Sequence, residues 1–167
     1  MRTSSINWLY RTLILENIDE KLKLLKQGIL REFCFAFEIP KNLTSDQYDD
    51  MLWELSGFGF EDVADMLPAM MVQDIDNYTG RRIRPLTDAL VCYLSNNDKE
   101  RVELLRQFSI AQLRVIIEWQ CIFSRLQWGE GSPELEPEFE EIVRRDTHVL
   151  KAIIREKVRE QTNGMST

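Results

Sequence analysis

Apolar residues at positions 6, 9, 10, 13, 14, 18, 22, 25, 29, 33 and 37 recur at intervals of three and four, the spacing that lines side chains along one stripe of an α-helix. The pattern predicts a long first helix, with Gly28 as the place for a bend and Pro40 as its end. Thr44 and Gln47 match a capping box and open a second helix to about Ser56, with Tyr48, Met51, Leu52 and Leu55 inward. Gly57 and Gly59 break the chain. A short third helix then carries Phe60, Val63, Met66, Leu67 and Met70, with Pro68 kinking or splitting it. Gln73 to Arg84 has no period and reads as a loop.

Pro85 suits the first turn of a fourth helix, where its missing N–H costs nothing, and Leu86, Ala89, Leu90, Tyr93 and Leu94 form that helix's buried stripe. Asp98 is placed to cap a fifth helix with Val102, Leu105 and Phe108 inward. Ser109 and Gln112 form another capping box, opening a sixth helix that is apolar nearly all round from Ile110 to Leu126. A helix of that kind is surrounded by others. After a loop at Trp128 to Ser132, one long C-terminal helix is expected, with Phe139, Ile142, Val143, Val149, Leu150, Ile153 and Val158 on its inner side and fraying from about Gln161.

No run alternates apolar and polar residues between hairpin turns, and no long repeat appears, so the expected class is all-α. The expected architecture is an irregular bundle of about six or seven helices with long N- and C-terminal members, one domain over residues 1–160 followed by a short tail. With 44% apolar and 29% charged residues, the composition is that of a globular protein. No apolar run reaches the length of a membrane span or a secretory signal, which points to a cytoplasmic protein without membrane partners. Cys34, Cys92 and Cys121 each lie in an apolar run and are expected as buried, reduced thiols.

Charge changes the picture more than composition does. Between Asn42 and Gly80 stand nine acids and no lysine or arginine: Asp46, Asp49, Asp50, Glu54, Glu61, Asp62, Asp65, Asp74 and Asp76. A further six acids and no cation lie between Leu126 and Val143, so the rest of the chain carries +8 against a total of −7. Such sorting opposes direct nucleic-acid binding, which needs clustered cations against phosphate. Carboxylates near helix N-termini serve solubility and the helix dipole. The alternative to that simpler reading is a docking face for a basic partner, with Asp46, Asp49, Asp50, Glu54, Glu61, Asp62 and Asp65 as its charges and Phe58 and Phe60 either its apolar anchors or plugs of the core.

Familiar catalytic constellations are missing from the sequence. There is one histidine, His148, and Arg145 stands three residues before it, where a di-iron bundle would require glutamate. The run Asp74 to Gly80 departs from a calcium loop, its glycine one position late and Pro85 in place of the bidentate glutamate. No cofactor or metal is expected. The densest basic cluster, Arg81, Arg82 and Arg84, offers either an anion clamp ahead of a helix N-terminus or intramolecular ion pairs to Asp74 and Asp76, the second being the simpler use of three arginines among 28 acids.

From about Trp53 to Leu126 the chain resembles a family of small uncharacterised bacterial proteins, a domain of unknown function. The resemblance rests on Leu67-Pro68-Ala69 after a Phe-rich helix start, Leu90 to Leu94, and Phe108-Ser109 with Gln112 leading into an apolar helix with Trp119. Met70-Met71 departs from it, standing where an aromatic is expected. It implies an all-helical bacterial domain and no catalytic residue. From the sorting of acids and the small all-α build, the expected function is protein binding through the acidic face, in the manner of an immunity protein or an inhibitor. The alternatives are an anionic-ligand binder or enzyme built on the arginine cluster and a structural homodimer paired through the first helix.

Overall fold

The computed structural model describes residues 18–33, 59–78, 85–127 and 136–164. Among these residues the secondary structure is helical throughout, with no strand: α1 (Ile18–Phe33), α2 (Phe60–Asp76), α3 (Pro85–Ser95), α4 (Lys99–Leu105), α5 (Ile110–Gln127), α6 (Glu136–Asp146) and α7 (His148–Gly164). The all-α expectation holds. The predicted second helix and the N-terminal turns of the first lie outside the described residues.

The sixth predicted helix, α5, is the axis of the bundle: most of its length is enclosed by other helices, and a stripe with Ala111, Arg114 and Glu118 stays exposed. α5 packs against α1, α3, α6 and α7, and Leu113, Ile116, Trp119, Cys121, Ile122 and Phe123 are buried along it. Each large apolar side chain so buried contributes roughly 1.5–3 kcal/mol. Its start is the predicted capping box: the Ser109 N–H donates to Gln112 Oε1 at 2.9 Å, and the Gln112 N–H to Ser109 Oγ at 3.1 Å. The Gln112 side chain also donates to the Glu32 carbonyl at 3.3 Å, fastening the end of α1 to the start of α5. Asp98 caps α4 as expected, accepting from the Glu100 and Arg101 N–H groups.

α1 buries Leu22, Leu25, Ile29 and Phe33 and runs through Gly28 as one helix. A Cβ at Gly28 would meet Val115 Cγ2 at 3.8 Å, an ordinary contact, so packing does not demand the glycine.

Four expectations are corrected. The third helix is not short: α2 spans 17 residues, passes Pro68 and takes in Gln73 to Asp76, assigned above to a loop. Val72 and Ile75 extend its buried side, the Asn77 N–H and Nδ2 both donate to the Gln73 carbonyl at 2.9 Å, and Lys26 of α1 pairs with Asp76 at 2.5 Å. These contacts outweigh the helical bond that Pro68 cannot donate.

The C-terminal helix, expected as one, is two. No glycine or proline marks the break at Thr147; it comes from side chains that take up the last carbonyls of α6. Gln120 Nε2 donates to the Asp146 carbonyl at 2.6 Å and Ser95 Oγ lies 3.0 Å from the same oxygen, while His148 Nδ1 donates to the Arg145 carbonyl at 2.7 Å. The end of the chain is helical to Gly164 rather than frayed from Gln161. Val158, placed above on the inner side, is 43% exposed.

Candidate functional site

Of the residues assigned to an acidic docking face, Asp46, Asp49, Asp50, Glu54 and Phe58 lie outside the described residues, as does the side chain of Glu61. The others cluster at the start of α2. Asp62 and Asp65 are exposed, and neither forms an ion pair among the described residues. Asp62 Oδ2 accepts from the Gly59 N–H at 3.2 Å, so this carboxylate closes the first turn and complements the helix dipole while still facing water. Phe60 serves the core more than the surface: it is partly buried, edge-on to Phe108 with centroids 5.1 Å apart, and Phe108 in turn meets Phe33 at 5.8 Å. This trio fixes where the acidic helix begins relative to α1 and α5.

Arg81, Arg82 and Arg84 lie outside the described residues. Their two suggested partners have other engagements: Asp76 with Lys26, and Asp74, buried, with Thr87 Oγ1, which donates to it at 3.0 Å.

A polar site that sequence reasoning missed lies in the core. Gln120, wholly buried on α5, donates to Ser95 Oγ at 3.0 Å and to the Asp146 carbonyl, and reaches the Val91 carbonyl at 3.4 Å. Thr147 Oγ1 donates to the Val143 carbonyl at 2.7 Å. One amide thus ties α3, α5 and the α6–α7 junction together. Ser124, one turn beyond Gln120, is likewise wholly buried. Polar residues four apart, Gln120 and Ser124, among the apolar positions of α5 were the available signal. The acceptors here are mainly backbone carbonyls, so the arrangement orders helices.

The nearby thiol is equally unsuited to catalysis. Burial pushes the Cys121 thiol up to about 11, against a smaller opposing effect of Lys151, so it stays protonated at neutral pH. Cys92, in contrast, is exposed, which corrects the expectation that each cysteine is buried. Mass-spectrometric peptide mapping after alkylation of the folded protein is expected to find Cys92 modified and Cys121 intact until denaturant is added. Because an unfolded thiol ionises near pH 9 and the folded one near 11, the unfolded state releases its proton first. Stability should therefore fall as pH rises through this interval, and Cys121→Ala should flatten that part of the profile.

The single histidine is accounted for by its bond to Arg145, and no group of three or more metal-ligating side chains occurs among the described residues. No helix of the described residues is long and apolar enough to cross a membrane. No protein-family model, curated protein or solved structure matches this chain.

Proposed function

We propose that this protein works without catalysis, by binding another protein, and that the acidic surface centred on the start of α2 is the docking face for a basic partner. The observation that carries this reading is the sorting of charge: nine acids and no cation over residues 42–80, with Asp62 and Asp65 facing solvent from α2. Carboxylates left without cationic neighbours project a field that raises the rate of encounter with a positive surface and selects against negative ones. An inhibitor or immunity protein directed at a basic enzyme is the form that fits a small helical bundle of this charge. A cytoplasmic setting agrees with the reduced state of Cys92 and Cys121.

The test is affinity capture from a lysate of the source organism at low and high salt, with wild type and a variant carrying Lys at positions 46, 49, 50, 62 and 65. The expected result is a basic protein retained by wild type, shed by salt and not retained by the variant. A partner held equally by both proteins, or unaffected by salt, removes the acidic face from consideration.

A further inference from the structure

We propose that the α6–α7 junction is a two-state joint and that the Gln120 side chain is its latch. The local sequence, Arg144-Arg145-Asp146-Thr147-His148-Val149, contains nothing that ends a helix. The helical ladder reaches the break from both sides: the Thr147 N–H donates to the Val143 carbonyl at 3.1 Å, and the Lys151 N–H to the Thr147 carbonyl at 3.1 Å. The three bonds that would span it, from the His148, Val149 and Leu150 N–H groups to the carbonyls of Arg144, Arg145 and Asp146, are not made, and the last of them would use the Asp146 oxygen. That oxygen accepts instead from Gln120 Nε2 at 2.6 Å, with Ser95 Oγ at 3.0 Å.

The latch is held at a cost, since Gln120 Oε1 is buried without a hydrogen-bond partner. In the released state the Asp146 carbonyl returns to the Leu150 N–H and α6 and α7 run on as one helix. Local preference for a continuous helix and a tertiary bond that interrupts it favour different arrangements of one segment, which is the basis of a bistable element. The exposed half of α7, Arg155 to Gly164, lies beyond the joint, so the state of the joint sets the direction in which that half projects from the bundle.

Gln120→Met keeps the length and volume of the side chain and deletes its donors. Native-state amide exchange is read at Leu150 and normalised to Ile116 on α5. The expected result is exchange at Leu150 slowed by roughly tenfold in the variant, because its N–H acquires an acceptor. Unchanged or faster exchange at Leu150 overturns the proposal, since a Gln120 that merely braces the junction would loosen it when removed. If the methionine variant does not fold, Gln120→Leu deletes the same donors and is expected to slow Leu150 by a similar factor; no slowing there overturns the proposal as well.

Discussion

Trp119→Ala is expected to lower stability by about 3–5 kcal/mol, enough to consume much of the roughly 5–15 kcal/mol that holds a domain folded. Trp119 is wholly buried at the middle of α5 and stacks on Phe123 with ring centroids 4.9 Å apart. Removing the indole takes away the largest fully buried side chain among the described residues and leaves a void that the helices around α5 cannot close without shifting. The indole Nε1 has no hydrogen-bond partner, so its N–H is a cost the fold already bears. Trp119→Phe should therefore cost well under half as much as the alanine change, because it relieves the unpaired donor and keeps most of the contact. Urea denaturation checks both: the midpoint should fall steeply for alanine and slightly for phenylalanine, with the slope unchanged.

Phe108→Ala is expected to cost a similar amount, about 3–5 kcal/mol, for a different reason. Phe108 is 1% exposed, stands between α4 and α5, and is the common member of the contacts to Phe33 and Phe60. Its loss separates the end of α1 from the start of α2. Coupling between Phe60 and Phe108, measured by a double-mutant cycle, is expected at about 0.5–1.5 kcal/mol. The consequence extends to binding: once Phe60 loses its support, Asp62 and Asp65 no longer keep a fixed position. Salt-sensitive association should weaken in Phe108→Ala at temperatures where the protein is still folded, and should be unaffected in Trp119→Phe.

The elements that local chemistry specifies were legible. Ser109 with Gln112, and Asp98, satisfy backbone groups within a turn of themselves, and Pro85 lacks the N–H that a first turn leaves unpaired, so residue type and spacing were sufficient to place the starts of α5, α4 and α3. The central role of α5 was legible from its broad apolar surface, which leaves a narrow polar stripe with Arg114 and Glu118 for water. What was not legible depends on residues distant in sequence. The break at Thr147 is imposed by Gln120 and Ser95, 26 and 51 residues from Asp146, and no pattern around Thr147 reports it. The extension of α2 to Asp76 buries Val72 and Ile75 in the core and brings Asp76 to Lys26, 50 residues away. Cys92 sits in an apolar run, yet it falls on the outer side of α3 because its neighbours Val91 and Tyr93 turn inward. Of the acidic face, the charge sorting was legible as a count, but the part Phe60 plays in the core follows from Phe108, which the spacing of either helix does not reveal.

The most direct measurement is amide-exchange footprinting of the protein, free and bound to the partner captured by its acidic surface. Docking on that surface predicts slowed exchange over the first turns of α2, Phe60 to Asp65, with the exposed stripe of α5 at Ala111, Arg114 and Glu118 unchanged. Protection that appears on α7 or along the outer face of α1 and spares the start of α2 would contradict it.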